Sequence, residues 1–451
     1  MRTMEFPQNF LWGAASSAGQ TEGYPLECGG GPSVWDAFSA LPGRIQNGET
    51  PEVCTDFLHR FRGDVELLAS LGLRAYRFSV SWARVDPSGT GEWSAEALRY
   101  YDELTDCCLA HGVEPFVTLH HWELPLALES RGGWLSPETP AAFARYAGML
   151  AARLRGRVQH YFTLNEPQCI LELGCRTGVH APGLRLGTEE LFACWKNLLL
   201  AHSLGLSAVK SADPGALVGL ASTGRICYPE RPEDEAAARA ESFRLGDGDW
   251  LFSHSQFLDP ACLGTFPAPE DSRLGRLWAA LPESERAALR ARPDCLGINL
   301  YNGCSVRGEG GGAVYTPRYP GFPRTAYGWP VTEQALYWAP VFFAGRYGLP
   351  LYITENGLSC NDRIFLDGQV HDPDRIDFLA RYLTQLRAAA QKADVRGYFH
   401  WSLTDNFEWN CGFSQRFGLV YVDYPTQRRI VKDSARWYAA VAASNGASLG
   451  E

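Results

Sequence analysis

The sequence predicts an α/β chain folded as a single closed (β/α)8 TIM barrel with long βα loops. Three observations point to it. Eight short apolar runs recur along the chain, the segments between them carry helix signals, and the runs end on polar or ionisable residues. Strands of a buried type that alternate with helices imply a parallel sheet. Eight repeats favour closure over an open sheet, and the C-terminal strand ends then form the working face.

Phe10–Ala15 (FLWGAA) reads as the first strand. From Thr55 to Leu71, residues Leu58, Phe61, Val65 and Leu68 recur at helical spacing. Ala75–Ser79 is the second strand. Ser94 reads as the N-cap of a helix whose apolar positions include Leu98, Tyr101 and Cys108, with Gly112 just past its end. Glu114–Leu119 is the third strand. Ser136–Pro137 reads as an N-cap followed by proline at the first helical position, with Phe143, Ala147, Leu150 and Leu154 on one face. His160–Leu164 and Leu217–Ala221 follow as strands four and five. Arg231–Ala240, charged and alanine-rich, reads as a solvated helix. Cys295–Leu300, Leu351–Thr354 and Gly397–His400 complete the set of strands. Gly308–Gly312 (GEGGG) and Pro320–Pro323 read as surface loop. No linker interrupts the pattern, so residues 1–451 are read as one domain.

With 451 residues, 45% hydrophobic and 20% charged, the chain can bury a large core, which excludes disorder as its main state. A formal net charge of −10 speaks against a nucleic-acid binder. Of 41 basic residues only Lys196, Lys210, Lys392 and Lys432 are lysine, a bias that reads as genomic composition. Thirteen cysteines cannot all pair within the chain, and no C-x-x-C occurs. They read as small buried hydrophobes in a reduced protein. MRTMEFPQNF lacks the apolar core of a signal peptide, and no apolar run is long enough to span a membrane. The expected location is cytoplasmic. Gly446–Gly450 (GASLG) matches G-x-S-x-G, but no helix follows. Gly308–Ala313 matches G-x-G-x-x-A, but Pro317 and Pro320 stand where a dinucleotide site needs a helix. Without H-E-x-x-H or paired cysteine spacing, no metal and no cofactor are expected.

The strand ends hold Arg77, His120, His121, Asn165, Glu166, Asn299, Tyr301, Glu355, Asn356 and Trp401. Glu166 stands in TLNEP after strand four and Glu355 in ITENG after strand seven. Across a closed barrel mouth these positions converge. Two carboxyls that flank one bond are the equipment for glycoside hydrolysis. One must stay protonated and the other ionised, so their surroundings must drive their pKa values apart. Arg77 is placed to keep one carboxylate charged, and Tyr301 to hydrogen-bond the same group. Either glutamate alone carries little weight, since a strand-end glutamate is more often a loop cap or ion-pair partner. The two motifs in order are far more specific. Fourteen tryptophans within a 12% aromatic content suit stacking on the apolar faces of sugars.

Further blocks surround these two. FLWGAASSAGQTEG at 10–23, YRFSVSWAR at 76–84, TLHHWELP at 118–125, TGVHAPG at 177–183, GINLY at 297–301 and WSLTDNFEW at 401–409 stand in one order with TLNEP and YITENG. From about Phe6 to about Tyr438 the sequence resembles the retaining β-glycosidases of glycoside hydrolase family 1, the β-glucosidase family. The resemblance implies two-step covalent hydrolysis of terminal non-reducing β-D-glucosides, with β-galactosides and β-fucosides as further substrates. The expected partner is a small β-glycoside or oligosaccharide. The resemblance implies Glu166 as acid/base, Glu355 as nucleophile and Asn165 as holder of the sugar 2-hydroxyl. It implies Gln20, His121, Trp122 and Glu408 as the glycone-binding set, with Trp401 and Trp409 as ring contacts. Trp329 joins the substrate-binding candidates. Asn299, Tyr301 and Arg77 form a second layer around the nucleophile, the first two also being substrate-binding candidates. Of the tandem histidines, His121 is the ligand candidate and His120 the structural one.

Three positions depart from the family pattern. Gly19 stands where tyrosine is usual, Gln168 where tryptophan is common, and Asn410 where a small residue is common. Gly19 and Gln168 are expected to open or repolarise the mouth. Two rival readings stand against the main one. The phospho-glycosidase branch usually replaces the glutamate of the FEW block with serine, whereas Glu408 is present here and would repel phosphate. Non-catalytic sugar-binding relatives usually lose a catalytic glutamate, and both remain.

Overall fold

The computed structural model describes residues 5–449, and in it the eight predicted runs are eight parallel strands of one closed barrel. They are β1 (Leu11–Ala15), β2 (Ala75–Ser79), β3 (Glu114–His120), β4 (His160–Asn165), β5 (Leu217–Ser222), β6 (Cys295–Asn299), β7 (Leu351–Asn356) and β8 (Val395–Trp401). Each pairs with its neighbours in sequence, and β8 closes on β1 with Leu11 opposite Gly397 and Ala15 opposite Trp401.

The barrel interior is packed with rings. Phe116 lies 4.8 Å from Phe399 and 5.4 Å from Tyr352, and Phe162 joins the same cluster. Room for these rings comes from missing side chains. A Cβ on Gly219 would sit 2.6 Å from Phe162, and one on Gly13 would sit 2.9 Å from Phe399. The aromatic layer is a floor: the guanidinium carbon of Arg77 lies 5.5 Å from the Phe162 ring centre, on the side of the strand ends.

The helices surround this core. Helix Phe57–Ser70 buries Leu58, Phe61, Val65 and Leu68, the face read from the sequence. Helix Ala95–Ala110 is capped by Ser94, whose side chain accepts from the Ala97 N–H. Between β5 and β6 the chain passes through four shorter helices, Glu235–Phe243, Ser255–Leu263, Arg273–Ala280 and Glu283–Leu289.

Three local readings are corrected. The helix expected from Ser136 starts at Thr139, with Pro140 in its first turn. Ser136 instead closes the 3-10 turn Gly133–Leu135, and Asn197 donates to the Ser136 carbonyl at 3.3 Å. GEGGG is the turn of a hairpin rather than plain loop: Cys304–Glu309 runs antiparallel to Gly312–Tyr315, with Gly310 and Gly311 at φ 58° and 83°. That pair of positive φ angles suits a tight hairpin turn. A third strand, Cys227–Pro229, completes this small sheet. Helix Glu235–Phe243 is not fully solvated, since Ala238, Ser242 and Phe243 are buried.

Behind the end of β8 lies a buried ion cluster. Lys432 is fully buried and donates to Asp362 at 2.6 Å and to Asp405 at 2.7 Å. Asp405 also takes Arg416 at 2.6 Å, and Arg375 pairs with Asp362 and Asp372. The cluster ties the loop after β8, which carries Glu408, to the helix Asp433–Ala443. Lys432→Met should lower the unfolding free energy by ~3–5 kcal/mol, because three buried carboxylates would then share two arginines and one negative charge would be left uncompensated. Urea denaturation of both proteins measures this.

Candidate active site

The strand ends open into a cavity of about 490 Å³. Gln20, His121, Trp122, Glu166, Asn299, Tyr301, Trp329, Glu355, Trp401, Glu408 and Trp409 all line it. Gln20 comes from the short helix after β1, His121 and Trp122 from the turn after β3, and Glu166 from the residue after β4. Asn299 ends β6, Glu355 lies in β7 and Trp401 ends β8. Register shifts fall just before both glutamates, between Phe162 and Asn165 in β4 and between Ile353 and Glu355 in β7. Such irregularities re-aim side chains at strand ends. Glu166, Trp122 and Trp409 also hold φ of 43°, 84° and 48°, conformations that side chains rarely adopt and that concentrate at functional sites. A larger hollow, about 950 Å³, lies on the outer side of segment 323–331 and contains neither glutamate.

Arg77 and Asn165 lie beneath the lining rather than in it. Arg77 donates to Glu355 Oε1 at 2.7 Å and to Asn165 Oδ1 at 2.5 Å. Tyr301 donates to the other oxygen of Glu355 at 2.7 Å. Asn299 Nδ2 donates to Asn165 Oδ1 at 3.0 Å and to Glu166 Oε1 at 2.8 Å. Asn299 therefore serves both carboxyls: it grips Glu166, and its amide also favours the charged form of Glu355, around which the sequence reading grouped it. Asn165 Nδ2 meets His121 Nε2 at 3.1 Å.

The two carboxyls have opposed surroundings. Burial, then the charge of Glu355, push Glu166 up to about 8, against the pull of Asn299, Cys169 and Arg77. Burial also raises Glu355, but Arg77 and Tyr301 oppose it directly through an ion pair and hydrogen bonds. The proton of the pair therefore belongs on Glu166. Glu408 is pushed up to about 8 by burial and by the charges of Glu355 and Glu166. Its hydrogen-bond donor is Gln20, at 3.4 Å. His121 is held well below the usual imidazole range by burial and Arg77, so it is neutral. With Nε2 accepting from Asn165, the proton sits on Nδ1, which has no protein partner. His120 packs edge-on against Trp82 and Trp134 and does not line the cavity, a structural placement.

Two aromatic groups contribute to the lining. Trp409 packs between Trp122 at 4.8 Å and Trp35 at 4.3 Å. Trp329 packs on Tyr301 at 5.1 Å and Tyr327 at 4.5 Å. Among the described residues, no group of three or more His, Cys, Asp or Glu is set to hold a metal ion.

The expectation for Gly19 and Gln168 is corrected, because neither reaches the cavity. A Cβ on Gly19 would sit 2.7 Å from Glu123 Cγ, and the Gly19 N–H donates to Glu123 at 2.5 Å. Glu123 therefore occupies the space a side chain at 19 would need. Gln168 is fully buried and donates to Ser222 at 2.8 Å. Asn410 does line the cavity, where its Oδ1 meets His180 Nε2 at 3.0 Å.

Cys169, His180, Tyr327 and Phe417 line the cavity without having been singled out from the sequence. His180 lies inside TGVHAPG, where the motif itself was a signal. Cys169, three residues past Glu166, was within reach of a helical-spacing argument. Tyr327 and Phe417 arrive on long loops, where spacing carries no information.

The chain matches the sequence profile described as glycosyl hydrolase family 1 over residues 2–447. It is 38% identical to β-glucosidase A of Thermotoga maritima, covering 99% of each chain. It is 40% identical to a bifunctional β-D-glucosidase/β-D-fucosidase of Bifidobacterium breve, covering 99% of this chain and all of that one. Among solved structures, the Thermotoga maritima β-glucosidase in complex with glucoimidazole superposes with a TM-score of 0.88 at 38% identity. That superposition covers 98% of this chain and 100% of the other.

Proposed function

The chain belongs to glycosyl hydrolase family 1, and from that membership we propose that it is a retaining β-glycosidase acting on terminal non-reducing β-D-glucosides. The observation that carries this reading is the pair of cavity glutamates, one buried against Asn299 and Cys169 and the other held by Arg77 and Tyr301. In the first step a Glu355 oxygen attacks the anomeric carbon. The glycosidic C–O bond breaks, and the proton of Glu166 passes to the leaving oxygen. In the second step water attacks the anomeric carbon, Glu166 takes its proton, and Glu355 leaves as carboxylate. Two inversions give net retention. The two carboxyls must then lie about 5–5.5 Å apart.

Gln20, Glu408 and the unpartnered Nδ1 of His121 supply donors and acceptors for ring hydroxyls. The tryptophan walls suit the apolar faces of the sugar. The names of the relatives support glucosides, and the Bifidobacterium breve relative supports fucosides beside them. We assign the whole chain to one catalytic unit. Thirteen free thiols, eight of them buried, support a reducing, cytoplasmic setting. Among the described residues no helix is long and apolar enough to cross a membrane.

A panel of nitrophenyl β-glycosides, with and without a 6-phosphate, tests the substrate class. Glucoside should be hydrolysed and the 6-phosphoglucoside should not, since Glu408 and two further carboxyls line the cavity and, among the described residues, no lysine or arginine does. NMR of the first product should show the β-anomer, and an α-anomer would refute retention. The pH dependence has a definite sign. Glu166 must be protonated to help departure, so kcat/KM on an alkyl glucoside should fall as pH rises through about 8.

A further inference from the structure

Cys169 ends the short helix Pro167–Cys169 that follows Glu166, and its side chain lines the cavity. Its Sγ lies 3.2 Å from Glu166 Oε2, while Asn299 holds Oε1 at 2.8 Å. Its backbone N–H donates to the Glu166 carbonyl at 2.9 Å. The same tight turn that sets Glu166 at φ 43° thus brings the thiol to its carboxyl. Burial and the neighbouring Glu166 push the thiol well above its ordinary range, so it keeps its proton and is a donor.

We propose that Cys169 is a positioning residue for proton transfer at Glu166, an inference that rests on the acid/base role proposed above. In that role Glu166 alternates between acid and carboxylate. The Asn299 amide nitrogen can only donate; it serves Oε1 in both states and cannot take the proton of Oε2. A thiol is both a weak donor and a weak acceptor. It donates to Oε2 once the proton has left, and accepts from Oε2–H before substrate arrives. As a weak acceptor it releases that proton to a leaving oxygen at little cost. The other ionisable groups that bear on this carboxyl are Glu355, Arg77, Tyr301 and Glu408, and Glu172 lies near the thiol. Those charges set the general level of the Glu166 titration, whereas the thiol touches the oxygen that carries the proton.

The test is the pH dependence of kcat/KM for Cys169→Ala and Cys169→Ser on two substrates. Cellobiose has a leaving group that needs protonation, and dinitrophenyl β-glucoside has one that departs unaided. In Cys169→Ala the alkaline limb on cellobiose should move up by about half to one pH unit, because the carboxylate loses a donor. In Cys169→Ser, close to isosteric, a hydroxyl that donates and accepts should return the limb to its wild-type position or below it. With dinitrophenyl β-glucoside the shift should be absent. An unmoved limb in Cys169→Ala, or an equal shift on both substrates, would overturn the proposal. Glu166→Gln separates the two readings. If it kept wild-type activity on cellobiose, the acid/base role itself would fall. If it was inactive while the Cys169→Ala limb stayed in place, only the role of Cys169 would fall.

Discussion

Glu355→Ala should lower kcat/KM on β-glucosides by about 10⁵-fold or more, the scale of loss when an enzyme's own nucleophile is removed. The reason is local. Arg77 and Tyr301 both address the Glu355 carboxylate, and alanine leaves them facing an empty anion site. Azide can enter that space and attack the anomeric carbon in a single displacement. The product should be the α-glucosyl azide, of inverted configuration, read by NMR. Turnover should not return with uncharged additives of similar size.

Glu166→Ala should show a different pattern. General acid–base help is worth ~10²–10⁴-fold, and that whole range should be lost on alkyl glucosides and cellobiose. Dinitrophenyl β-glucoside should still form the glycosyl-enzyme, because its leaving group needs no proton. The intermediate should then accumulate, since water has lost its base. Azide should resolve it from the opposite face and give the β-glucosyl azide. The two variants thus predict opposite product configurations, measured in the same assay. Swapped configurations would reverse the roles of Glu166 and Glu355.

Much of this architecture is legible in the sequence because barrel strands are short, apolar and punctuated by polar ends. All eight runs begin within two residues of their strand, and β2 matches end to end. The catalytic candidates were legible for the same reason, since strand ends are where a barrel places its chemistry. Ser136 lies two residues short of the helix cap at Glu138: its hydroxyl accepts from the Glu138 N–H, and its carbonyl accepts from Asn197, a residue of a helix far along the chain. The small sheet of Cys227–Pro229, Cys304–Glu309 and Gly312–Tyr315 was missed because its strands are short and partly exposed, with no apolar alternation to reveal them. Gly19 was misjudged because its neighbour in space is Glu123, 104 residues away in sequence. That Asn299 also grips Glu166 was not legible, since no spacing rule tells which of two converging carboxyls an amide will meet.

The central claim is that Glu355 becomes covalently bonded to the sugar. A 2-deoxy-2-fluoro-β-glucoside with a dinitrophenolate leaving group tests it directly. Fluorine at C2 disfavours positive charge at the anomeric carbon, so both steps slow, while the activated leaving group lets the first proceed. Intact-mass measurement should show one fluoroglucosyl group added per chain, with release of one equivalent of dinitrophenolate. Peptide mapping should place that group on Glu355, within the peptide containing YITENG. A label on Glu166, or full turnover with no covalent adduct and an α-configured product, would contradict the account.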